Sequence, residues 1–122
     1  MPTTPQICDL SAALKRMGNN IELLKDLVGF FREDSGGLIN NLRHAVAQED
    51  AEAIHHAAHS LRGLIANFSA EAATRVALRL EQLVYSGDMA GVPAELRQLE
   101  QELARLDPTL TTELAKLETI QQ

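Results

Sequence analysis

The chain has 122 residues, of which 45% are hydrophobic but only 3% aromatic, with no tryptophan and a formal net charge of −6. That length fits one domain with a single modest core, which must be aliphatic. The acidic balance argues against a nucleic-acid binder, which needs a basic footprint, and no apolar run approaches the length of a bilayer span.

Residues 1–7 carry two prolines and read as a loose lead-in, with neither a basic nor an apolar signal region. Cys8 is the single cysteine. It allows no intrachain disulfide and no thiolate cluster, which fits a reducing, cytoplasmic setting. Asp9 is placed to cap a short helix, Leu10–Met17, that stops at Gly18-Asn19-Asn20. A long apolar stripe follows from Ile21 through Leu24, Val28, Phe31, Leu38 and Leu42 to about Gln48. Gly36-Gly37 interrupts it and reads as a local bend or loosened turn, because the phase of the stripe carries through.

Asp50 opens the next helix, with Ile54, Ala58, Leu61, Ile65 and Phe68 on its apolar stripe. Ser69 is the expected cap of a further helix, whose stripe is Ala73, Val76, Ala77, Leu80, Leu83 and Val84 and which ends at Ser86-Gly87-Asp88. Val92, Leu96, Leu99, Leu103 and Leu106 then form a heptad run. Asp107-Pro108 either restarts a helix or kinks the previous one, and Leu110, Leu114 and Leu117 continue the face. The expected fold is all-α: an up-down-up-down four-helix bundle with a short N-terminal helix lidding one end. The domain spans 1–122, with its core over about 9–106 and a C-terminal helical extension over 107–122. A monomer is expected.

One histidine stands on the wrong side of its helix. At about 100° per residue, His59 lies roughly 140° from the middle of the apolar stripe. A histidine on a solvated face is ordinarily a plain surface residue, and here its neighbours weigh against that reading. Arg62 supplies a cation one turn away, and Gly63 and Ala66 keep the patch low. A mid-helix glycine costs about 0.5–1 kcal/mol relative to alanine, so it calls for a reason. An exposed imidazole is largely neutral and nucleophilic at neutral pH, as a phosphoryl acceptor must be. A phosphate there could pair with Arg62, and at such a solvent-facing site charge is expected to matter more than fork geometry.

Two other readings stay open. A helical adaptor would use the His59 face only for docking. A metal-binding bundle would exploit His55 and His59 at i, i+4, with Glu52-Ala-Ile-His55 matching a Glu-x-x-His spacing. That reading is weaker. The chain has no second such pair, Glu52, His56 and His59 point off the apolar stripe, and His55 sits at its margin; no metal ligand is assigned. His44 reads as a surface residue. There is no phosphate-binding glycine loop and no nucleophile elbow, so the chain has no catalytic or ATP site of its own and phosphate must arrive from a partner.

Ala58-His59-Ser60-Leu61-Arg62-Gly63, followed by Ala66-Asn67-Phe68-Ser69-Ala70, resembles the signature of histidine-containing phosphotransfer domains. That signature is His-x-Leu-Lys-Gly and then Asn-hydrophobic-Gly-Ala. The resemblance runs from Asp9-Leu10 to Leu106 and takes in Leu23-Leu24-Lys25-Asp26-Leu27, Phe30-Phe31, Glu49-Asp50-Ala51 and Leu80-Glu81. It implies a four-helix bundle in which His59 accepts phosphate from the aspartyl phosphate of a response-regulator receiver domain and passes it to another. Arg62 then maps to the lysine that balances phosphate charge and Gly63 to the glycine that gives phosphate room. The receiver, expected in a hybrid sensor histidine kinase, would supply Mg²⁺, so the chain has no cofactor of its own. The departures are Arg62 for lysine, Ser69 for glycine, and the bulky Leu64 and Ile65. They imply altered helix packing or partner choice and leave the nucleophile in place. If the short helix lids the bundle near His59, Leu10, Leu14, Phe30 and Ala66 are the expected receiver contacts.

Overall fold

The computed structural model describes residues 7–121, and among them there is no strand. Five α-helices follow one another: α1 (Leu10–Arg16), α2 (Ile21–Ala47), α3 (Ala51–Ala66), α4 (Glu71–Ser86) and α5 (Val92–Gln121), with a 3₁₀ turn at Met89–Gly91 before α5. Helices α2 to α5 form the bundle, each packed on the next and α5 closing back on α2.

Local chemistry starts and stops these helices. The Oδ1 atoms of Asp9, Asn20 and Asp50 accept from the N–H groups of Ala12, Leu23 and Ala53 at 3.1, 3.1 and 3.2 Å, each satisfying a donor that the helix leaves free. Gly87, left-handed at φ 81°, ends α4. Between caps, the apolar stripes meet in one aliphatic core that includes Leu24, Leu42, Ile54, Leu61, Ile65, Leu80 and Leu99. Among the described residues its one aromatic contact is edge-to-face, Phe31 on Phe68, with ring centroids 5.7 Å apart at 81°.

Helix α2 runs unbroken through Gly36-Gly37, one helix as the continuous phase of the stripe implied; both glycines are exposed. One local expectation is corrected and one alternative is resolved. Ser69 does not cap α4. It is itself left-handed at φ 53°, the N-cap is Ala70 without a side-chain bond, and the Ser69 hydroxyl accepts from Arg16 Nη1 at 2.7 Å. Helix α5 passes through Pro108 without a restart. The carbonyl that loses its partner belongs to exposed Ala104, where water can reach it. Leu106 and Leu110, on either side of the proline, are both fully buried, so the core continues past residue 106.

Helix α1 covers the end of the bundle where α3 passes to α4. The Asp9 N–H donates to the Phe68 carbonyl at 3.0 Å, and Arg16 holds Ser69 and, at 3.4 Å, the Asn67 carbonyl. This docking buries Leu10 to 2% and Leu14 to 4% exposure. Neither is available to a partner, which overturns their expected role as docking residues. No helix among the described residues is long and apolar enough to cross a membrane.

Candidate functional site

Helix α3 presents His59 to solvent, with 62% of its side chain exposed. The feature that organises the surrounding site comes from the neighbouring helix. Glu81 of α4 is only 8% exposed, and its carboxylate faces α3. His59 Nδ1 lies 3.0 Å from Glu81 Oε1. Arg62 Nε donates to Glu81 Oε2, and Arg62 Nη2 lies 3.3 Å from Oε1. Both carboxylate oxygens are thereby engaged, as a buried charge requires. Burial pushes the Glu81 carboxyl up. The hydrogen bonds from Arg62 and His59, with their charges, outweigh that and hold it below its ordinary value.

An ionised Glu81 can only accept. The network therefore assigns the imidazole proton to Nδ1 and leaves the Nε2 lone pair directed away from the carboxylate. Arg62 Nη2 also lies 3.1 Å from Nδ1. With Nδ1 already donating to Glu81, that approach is a charge beside the ring and not a second hydrogen bond. His55, one turn earlier, lies nearly parallel to His59, with centroids 6.1 Å apart at 7°, and its Nε2 is 3.8 Å from Glu81 Oε1.

Arg62 is not the solvent-facing cation expected from the sequence. It is 33% exposed and grips Glu81 through two nitrogens. A lysine presents one ammonium and cannot reproduce a fork. Arg62→Lys, which keeps the charge and one bond to Glu81 but loses the fork, should therefore fall between the wild type and Arg62→Ala, as phosphorylated fraction and phosphate half-life would report. Wild-type behaviour of the lysine variant would restore the reading that charge alone counts.

Gly63 is exposed, and a Cβ built on it meets nothing within 4 Å. A Cβ at Gly29, Gly36 or Gly37 likewise meets nothing within 4 Å, so openness alone does not mark a site. Gly63 differs in standing one turn from His59. Gly63→Ala should stabilise the fold by about 0.5–1 kcal/mol, read in a urea titration, while Gly63→Leu slows phosphate transfer by covering the approach to the imidazole. Unchanged transfer in the leucine variant would remove the steric role.

Of the expected partner contacts, Ala66 is exposed on the same face as Arg62, one turn further on. Phe30 is 52% exposed. Its neighbour Phe31 packs inward on Phe68, so the two rings of α2 divide between solvent and core. The sequence reading missed Glu81 as a functional residue. The signal was present: Glu81 follows Ala77 by four positions and Leu80 by one, a carboxylate inside the apolar stripe of α4. No three His, Cys, Asp or Glu side chains among the described residues are grouped to hold a metal ion.

The acid titration of this cluster has a defined sign. Because the folded Glu81 value lies below the unfolded one, its stabilising contribution is whole above the ordinary carboxylate range and is lost as pH falls through the lowered value. Glu81→Gln, neutral at every pH, should flatten that part of the acid-unfolding curve. An unchanged curve would show that the carboxylate is not held by its partners.

Comparison with known proteins bears on the family and the fold. The Hpt domain family matches residues 26–109. The crystal structure of histidine-containing phosphotransfer protein B from Pseudomonas aeruginosa PAO1 superposes with a TM-score of 0.82 at 24% identity, covering 93% of this chain and 98% of that one. At that identity the likeness speaks for the fold. A comparison with curated protein sequences returned no match. With the family matched across most of its length, the chain belongs to the Hpt domain family, which performs histidine phosphotransfer in two-component phosphorelays.

Proposed function

We propose that His59 is the phosphoacceptor and that Nε2 is its reacting atom. The observation that carries this reading is the Glu81 contact to Nδ1, which leaves Nε2 as the nitrogen with a lone pair on an exposed imidazole. Nε2 attacks the phosphorus of an aspartyl phosphate on a receiver domain. The N–P bond forms as the bond from phosphorus to the aspartyl oxygen breaks, and the electron pair leaves with the carboxylate. In the forward relay a second receiver's aspartate reverses these steps. Glu81 acts as a positioning residue: it fixes the tautomer and, through Nδ1–H, stabilises the positive charge that develops on the ring. Arg62 keeps Glu81 ionised and leaves the edge of its guanidinium for phosphate oxygens.

Mg²⁺ does not fit this chain's site. Glu81 is the carboxylate at His59, and both its oxygens are already bonded to Arg62 and His59, whereas Mg²⁺ demands several free oxygen ligands in octahedral array. The metal is the partner's. The upstream receiver is that of a hybrid sensor histidine kinase, and the relay operates in the cytoplasm, with this domain acting as a monomer.

The test is incubation with a receiver phosphorylated by acetyl phosphate and Mg²⁺. Acid-labile phosphate on His59 is the expected result, and phosphate at another residue, or at none, would sink the assignment. Glu81→Leu adds a readout that a purely structural role would not move. Nitrogen NMR should show the His59 proton on Nδ1 in the wild type and redistributed in the variant.

A further inference from the structure

Beside His59 a groove of about 570 Å³ runs between the end of α1, the last turn of α3 and the start of α4. Arg62 lines it and also belongs to the His59 cluster, so groove and site are continuous. Arg16 and Arg75 line it too, on a chain whose net charge is −6. Their charges are not neutralised by direct pairing. Arg16 is held by neutral acceptors, the Ser69 hydroxyl and the Asn67 carbonyl. Arg75 makes no ion pair among the described residues, and Glu71 is the single carboxylate of the lining. Ala66 and the partly exposed Leu78 give the groove an apolar floor. An apolar floor with a polar rim is the composition of a modest transient interface.

We infer that this groove is the surface on which the acidic rim of the phosphodonor's receiver domain docks, with Arg16 and Arg75 holding it. The inference rests on His59 being the phosphoacceptor. The partner's chemistry supplies the occupant. An aspartyl phosphate is an anion, and a Mg²⁺ ion beside it is held by oxygen ligands, chiefly carboxylates. The face that approaches His59 is therefore negative, and the neighbouring groove on this otherwise acidic chain is positive. Such complementarity acts mainly on encounter rate and partner choice. It also relocates docking from α1's apolar face, which is buried, to the open side of the histidine helix.

The experiment measures transfer to the full chain from a panel of receiver domains phosphorylated with acetyl phosphate, using the fastest as the probe. Arg75→Glu is the primary variant, because Arg75 holds nothing in the fold. Its transfer rate at low salt should fall about tenfold or more, and the steep salt dependence of the wild type should flatten. Arg75→Lys should recover most of the rate. Arg97→Glu makes the same charge change on the exposed face of α5 and should transfer like the wild type. Phosphoramidate, a small donor that needs no docking, labels His59 independently. Labelling of Arg75→Glu by phosphoramidate together with slow transfer from the receiver supports the groove. Wild-type transfer by Arg75→Glu overturns it, as does an equal loss in Arg97→Glu. A wild-type protein that neither phosphoramidate nor any receiver labels at His59 overturns the underlying acceptor reading, and the groove with it.

Discussion

His59→Ala should take up no phosphate from a phosphorylated receiver while melting close to the wild type. The first half follows from chemistry. No other imidazole in the cluster has its Nδ1 fixed by a carboxylate, and alanine has no nucleophile. The second half follows from exposure. The side chain is largely in solvent, and Glu81 keeps its bonds to Arg62 when His59 is gone. Surface substitutions of that kind fall within about 0.5 kcal/mol of neutral. Intact-mass measurement of bound phosphate and a thermal melt on the same sample check both halves. Wild-type phosphate uptake would move the acceptor to another residue. His55→Ala, made in parallel, should still take up phosphate, because His55 Nε2 is the atom that approaches Glu81, at 3.8 Å.

Phe68→Ala should be the most damaging single change to the fold, at about 3–5 kcal/mol. Its ring is fully buried and packs edge-on against Phe31 in a core with no other aromatic pair among the described residues. Its carbonyl also anchors α1 through the Asp9 N–H. A domain of this size has about 5–15 kcal/mol in total, so the loss would show as a large drop in urea midpoint. Phe68→Leu keeps most of the apolar volume and should cost far less. A loss below about 1 kcal/mol in the alanine variant would mean that the end of the bundle repacks without its aromatic pair. Because that end carries one wall of the arginine groove, receiver transfer should fall with the fold, whereas phosphoramidate labelling of the remaining folded molecules should persist.

Much of this was legible from local pattern. The stripe of α3 and the offset of His59 from it follow from helical period alone, and the structure finds Ile54, Leu61 and Ile65 buried with His59 outside. Asp9 and Asp50 cap as expected because an N-cap needs only a side-chain oxygen within three residues of a free N–H. The failures share a cause. Ser69 has a capping residue's chemistry, but its backbone is turned left-handed and its hydroxyl is taken by Arg16, more than fifty residues away in the chain. Leu10 and Leu14 belong to a helix too short to reveal which face it buries until it is docked on the end of α3.

What the sequence determined by itself, then, is the set of helices, their apolar faces and the candidate nucleophile, since each depends on spacing within a few residues. Which partners meet across helices was decided only by the tertiary structure. Glu81 lies 22 residues from His59 along the chain and 3.0 Å from it in space. The same carboxylate holds Arg62 in a half-buried ion pair, assigns the imidazole proton to Nδ1 and leaves Nε2 to react. A periodic pattern records that a carboxylate sits on the inner face of α4. It does not record the angle at which α4 packs on α3, and that angle determines which charge the carboxylate meets.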